Sequence, residues 1–157
     1  MALFAQEEPM KHLLISLVLS AVAVTAAFPC EFTYTMIDAQ GNKSEIDPLK
    51  PVILNSEAAY TLVISYWEDH RNCRVAPEET LLLLDGARWR VLRETQPLVL
   101  SAAPFWEQTA SRTHEGTVHF TTQTAGSWVL EVMRICDREG YAEQIVILVA
   151  AAHAHTD

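Results

Sequence analysis

Hydrophobic and polar positions alternate every second residue along much of the chain, and no long stretch carries the 3.6-residue period of a helix. Residues 60–67 give the clearest case. Tyr60, Leu62, Ile64 and Tyr66 fall on one face, and Thr61, Val63, Ser65 and Trp67 on the other. Residues 31–37 repeat the pattern with Phe32, Tyr34 and Met36 on one side, and residues 117–121 place Val118 and Phe120 inward. Short apolar, β-branched-rich segments between turn signals predict further strands over 52–54, 80–84, 88–92, 98–100, 127–135 and 143–149. Turn residues punctuate them: Ala39-Gln40-Gly41-Asn42, a loop bracketed by Pro48 and Pro51, Asp85-Gly86 in a hairpin, and Asp137-Arg138-Glu139-Gly140 between the last two strands. Asp-Gly between two apolar runs is a strong hairpin signal. Residues 104–115 hold no alternation and read as an irregular crossover. Short strands rich in β-branched and aromatic residues, broken by frequent turns, predict an all-β antiparallel sandwich.

The first 27 residues break this pattern. Lys11 and His12 precede an uncharged apolar run over 13–27 that closes on Thr25-Ala26-Ala27. A basic start, an apolar middle and a small-residue exit are the three parts of a secretory signal. The run is short of the about 20 apolar residues a membrane span needs. Glu7 and Glu8 put negative charge where a signal wants positive, which points to Met10 as the native start. Pro29 before Cys30 disfavours lipoprotein processing. The expected division is a signal peptide over 1–27, one β-sandwich over 28–150 and a frayed tail over 151–157, in a secreted or periplasmic protein that touches a membrane only if the signal stays uncleaved.

Composition agrees with one globular domain: 157 residues, half of them hydrophobic and a fifth charged. Twenty Asp/Glu against eleven Lys/Arg give a net charge of −9, which repels phosphate backbones and argues against nucleic acid as a partner. Ten Lys/Arg and eighteen Asp/Glu remain after Ala27, a charge of −8. An exported chain meets an oxidising compartment, and three cysteines allow one internal bridge with one thiol left over.

Residues 119–150 carry a resemblance. Phe120-Thr121-Thr122, then Ala125-Gly126-Ser127-Trp128-Val129-Leu130-Glu131-Val132, a polar Gly-containing turn, and Ile145-Val146-Ile147-Leu148-Val149 resemble the final strands of bacterial immunoglobulin-like and fibronectin-III-like domains. The resemblance covers the last third of the chain and implies an immunoglobulin-like sandwich; such sandwiches serve many roles. Cys136 at the opening of the last turn departs from the family pattern. In that topology Cys30, Cys73 and Cys136 fall at one end of the sandwich. This implies either a Cys73–Cys136 disulfide, with Cys30 as the odd thiol or an alternative partner, or a thiolate metal site of Cys30, Cys73 and Cys136 completed by His70. Thiolates suit copper(I) or zinc. Trp89 is expected in the core as a central-strand tryptophan and Trp128 beside it.

Other candidate chemistry is sparse. No Ser sits in a Gly-x-Ser-x-Gly elbow, no Gly-rich phosphate loop is present, and the pairs Glu68-Asp69 and Glu78-Glu79 read as loop charge. His114 and His119 are expected to be solvated, and His153 and His155 lie in the tail. Phe105 and Trp106 stand either as an exposed interface anchor or as a cover over the sandwich edge. Asn42-Lys43-Ser44 forms a glycosylation sequon in a predicted turn. The sequence therefore predicts a non-catalytic exported binding or structural module with a protein partner and no cofactor, an accessory subunit of an envelope or extracellular assembly. The competing expectation is a small periplasmic metal-handling protein.

Overall fold

The computed structural model describes residues 30–68, 74–90, 96–135 and 140–151, and the backbone alone of Cys30. The described residues form eleven strands and one short 3-10 turn: β1 (Cys30–Asp38), β2 (Lys43–Ile46), β3 (Val52–Asn55), β4 (Ala59–Glu68), the turn at Pro77–Glu79, β5 (Leu81–Leu84), β6 (Ala87–Arg88), β7 (Leu98–Leu100), β8 (Phe105–Ala110), β9 (Thr113–Thr122), β10 (Gly126–Ile135) and β11 (Gly140–Ala150).

Two sheets form. The first has the order β2-β1-β4-β9, with β7 and β8 both paired to the far edge of β9; the second has the order β3-β11-β10-β5-β6. All pairings are antiparallel except β3 with β11. Strands β1, β4, β9 and β7/β8 occupy the places of A, B, E and D, and β5, β10 and β11 those of C, F and G. This is the strand order of an immunoglobulin-type sandwich.

Each long strand contributes every second residue to the core. Tyr34 and Met36, then Tyr60, Leu62, Ile64 and Tyr66, then Val118 and Phe120 line the first sheet's inner face. Leu82, Leu84, Leu130, Val132, Ile145, Ile147 and Val149 line the second. Removing this apolar surface from water drives the sheets together at roughly 25 cal/mol per Å².

Turn chemistry fixes the register. Asp85 and Gly86 both have positive φ (48° and 76°), the pair a type I′ hairpin demands. The Asp85 carboxylate also accepts from the Val129 N–H at 2.8 Å, tying the hairpin to β10. In the first turn the Asp38 carboxylate accepts from the backbone N–H of Gln40 and Asn42 and from the Asn42 side-chain amide. That amide, with the backbone donors behind it, holds the Asp38 pKa below its ordinary value.

Three elements differ from expectation. Residues 43–46 add a strand to the outer edge of β1. Residues 105–115 are not an irregular crossover but a hairpin of β8 and the start of β9, turning at Arg112 with φ 65°. Of its six β8 residues only Trp106 is buried, so pairing with β9 rather than burial stabilises the strand and no apolar alternation marks it. Trp106 lies flat on Gly116, where a Cβ would stand 2.6 Å from its ring, so only glycine fits. Trp89 is buried as expected, but it follows the edge strand β6 rather than sitting in a central one. Its indole N–H donates to the Leu98 carbonyl at 2.8 Å, and its ring meets Phe120 edge-on at 5.3 Å.

Candidate interaction face and polar pole

The second sheet is apolar on both sides. Its apolar outward positions are Ile53 on β3, Val146 and Leu148 on β11, Val129, Met133 and Ile135 on β10, and Leu81 and Leu83 on β5, with Ser127 and a cross-strand row of Gln144, Glu131 and Arg88 among them. The ladder places them side by side: Ile53 next to Leu148, Val146 next to Val129, Leu81 next to Met133. Ile53 is 74% exposed and Ile135 63%. Outward charge among the described strand residues here is confined to Glu131, and to Arg88 across Leu83 in the same row. Contiguous apolar positions on an outward sheet face are what a candidate interaction surface offers.

The first sheet's outer face is built otherwise. Thr33, Thr35, Thr61, Ser65, Thr117 and Thr121 alternate with the core stripe, and Glu31, Glu45, Glu107 and Glu115 add negative charge. Thr61 and His119 share a hydrogen bond at 2.8 Å across β4 and β9. Trp67 is packed under the Arg112 guanidinium, 4.4 Å from its ring centre.

One end of the sandwich is closed by a polar cluster. Period 2 carries the inward stripes past Tyr66 to Glu68, past Gly116 to His114, and past Val132 to Arg134. Arg134 is 1% exposed. Its guanidinium donates to the carbonyls of Val75 at 2.6 Å and Ala76 at 3.1 Å and to Thr80 Oγ1 at 3.2 Å. It also lies 4.5 Å from the Tyr66 ring centre and 3.8 Å from Glu68 Oε1. His114 stacks on Tyr66 and places Nε2 3.3 Å from the same Glu68 oxygen. Tyr141 stacks on Phe32 at 4.2 Å and 8°. Its hydroxyl donates to Glu143 and meets the Tyr34 hydroxyl at 3.5 Å. Burial, reinforced by that hydroxyl, pushes the Tyr34 pKa far above its ordinary value. A buried guanidinium that reaches the backbone two residues beyond Cys73 and a carboxylate on β4 acts as a tie between the sheets.

The predicted site residues fall as follows. Phe105 is 63% exposed, whereas Trp106 is buried against Gly116 and Tyr66 and does not present an exposed anchor. His114, expected in solvent, points inward; His119 is exposed. Cys30 opens β1 opposite Glu68. His70, Cys73, Cys136, His153, His155 and residues 1–29 lie outside the described residues. Among the described residues no three His, Cys, Asp or Glu side chains converge as metal ligands, and no helix is long and apolar enough to cross a membrane. Asn42 sits in an exposed turn, as the sequon requires, with its amide held by Asp38.

Sequence reasoning passed over two signals. Leu81-Leu82-Leu83-Leu84 and Ile145-Val146-Ile147-Leu148-Val149 are unbroken apolar runs, the mark of strands covered on both faces. Glu68, His114 and Arg134 stand at inward parity, where a charge must find a partner. No protein-family model and no curated protein matches this chain.

Proposed function

We propose that this chain is an exported, non-catalytic binding module of the bacterial immunoglobulin-like or fibronectin-III-like kind, serving as a structural or accessory subunit of an envelope or extracellular assembly. The outer face of the second sheet carries the reading: eight Leu, Ile, Val and Met side chains stand where a water-facing sheet places polar ones. A protein partner covers that face. A disulfide between Cys73 and Cys136 locks the adjoining end of the sandwich. Arg134 supports it by holding Val75, two residues past Cys73, to the strand end two residues before Cys136.

Site-specific photo-cross-linking in the native cells tests the reading. A cross-linker at Val146 should trap a protein adduct, and one at Thr117, on the opposite outer face, should not. Equal trapping at both positions, or none at Val146, overturns it. N-terminal sequencing of the exported product should begin at Ala27 or Phe28; a full-length cytosolic product contradicts export.

A further inference from the structure

We infer that the partner seated on the second sheet's outer face is a second copy of this chain, packed face to face. The inference rests on the binding-module reading above and names the occupant of that surface.

Electrostatics favours this occupant. Two exported copies, each of net charge −8 after Ala27, repel wherever their acidic surfaces meet. On the first sheet Glu31, Glu45, Glu107 and Glu115 point outward against Lys43 and the Arg112 guanidinium over Trp67, an excess of acid, and Glu107 stands directly across the ladder from Glu115. On the second sheet the outward charges of the described strands are Glu131 and Arg88, opposite in sign and separated by Leu83. Face-to-face contact through the second sheet therefore joins near-neutral surfaces and leaves the acidic faces outermost, in water.

Area also fits. Outward positions on β10 run from Ser127 to Ile135, about 27 Å at a strand rise of about 3.4 Å per residue. The apolar positions span four strands, about 20 Å at the usual inter-strand spacing with side chains included. The projected face, its Ser127, Gln144 and Glu131 positions included, is about 500 Å² per copy, so a pair packed over all of it buries about 1,000 Å², the size at which specific interfaces begin. Chemistry matches too: the outer face repeats the Leu, Ile and Val make-up with which the same sheet's inner face already packs on a sheet. Two identical twisted sheets stack at about 10 Å with strands about 30° apart.

Sedimentation equilibrium of the purified exported chain from about 1 to about 100 µM is the test. The expected mass is twice that of the monomer. Leu148→Lys and Val146→Gln, each with native circular dichroism, should return the monomer mass, and Thr117→Lys should leave the dimer intact. A monomer at the highest concentration, or a dimer that survives both face substitutions, overturns the inference. A monomer whose Val146 cross-linker still traps a different protein in cells overturns the second copy and keeps the binding module; no adduct at Val146 overturns both.

Discussion

The two outer faces of this sandwich belong to sheets that share one core but differ in the balance of their outward residues: Thr, Ser and Glu prevail on the first, and Leu, Ile, Val and Met on the second. On the first sheet, Tyr60, Leu62, Ile64 and Tyr66 of β4 point inward while Thr61, Val63, Ser65 and Trp67 point out, two of the four outward residues being Thr or Ser. On β11 the inward Ile145, Ile147 and Val149 are interleaved with Val146 and Leu148. Inward residues are fixed by the core and outward residues by whatever lies beyond the sheet. Water satisfies a Thr- and Glu-bearing face, and a partner surface satisfies a Leu-, Ile- and Val-bearing one. The difference is what the proposed interface rests on: one outer face has the make-up of a water-facing sheet, and the other carries apolar side chains that a partner would cover.

Neighbouring substitutions on β11 break the comparison most sharply. Ile147→Asp buries an unpaired carboxylate in the core and should cost about 4 kcal/mol or more, enough to unfold the domain. Leu148→Asp, one residue on but outward, should cost the dilute monomer less than about 1 kcal/mol. Urea denaturation at low protein concentration measures both; a large loss at Leu148 would place it inside the fold.

Arg134→Ala tests whether the polar end is a tie between sheets. It strands Glu68 beside a lost cation and releases the Val75 and Ala76 carbonyls, a loss of about 3–5 kcal/mol. Arg134→Met, which keeps volume without charge, should recover part of it. Equal stability of all three proteins would show that the cluster holds nothing.

Gly116→Ala addresses the first sheet alone. Its new Cβ meets the Trp106 ring and must displace it, at a cost of about 1–3 kcal/mol, while self-association through the second sheet stays unchanged. Tryptophan fluorescence and thermal unfolding report the shift.

Smaller effects come with pH. Folding raises the Tyr34 pKa, so the unfolded chain loses its phenolic proton first. The stabilisation is whole below the unfolded value of about 10 and declines as pH rises above it. Tyr34→Phe should flatten the alkaline limb of the stability profile; an unchanged limb would contradict the burial of that hydroxyl. Asp38 runs the other way. Its folded pKa is lowered, so its contribution is present above the unfolded value of about 3.9 and fades as pH falls through the folded one. Asp38→Ala should soften the acid limb slightly and loosen the β1–β2 turn in amide exchange.

Alternation made most of the fold legible. β1, β4 and the end of β9 follow it, β10 and β11 were marked by β-branched apolar runs between turns, and Asp85-Gly86 named its own hairpin. β2 and β8 escaped because they are edge strands stabilised by ladder hydrogen bonds, with little apolar surface to mark them. Trp106 beside Phe105 could be read as an anchor because adjacent residues on a strand face opposite ways, and only the pairing with β9 decides which is inside. The polar end was hidden for a related reason. Glu68, His114 and Arg134 lie 46 and 20 residues apart in sequence, and only the register of β4, β9 and β10 brings them together. The apolar outer face was in plain view as two unbroken runs, but a run alone does not say whether its second face meets protein or water until the sheet order is known.

Residue-resolved hydroxyl-radical footprinting tests the central claim most directly, with the exported protein probed in its native extract and again when purified and dilute. Met133, Val146 and Leu148 should be protected in the extract and reactive when dilute, while Phe105 on the opposite sheet reacts equally in both. Equal reactivity of Met133, Val146 and Leu148 in the two states, or protection of Phe105 in their place, would contradict the assignment of the second sheet's outer face as the interface.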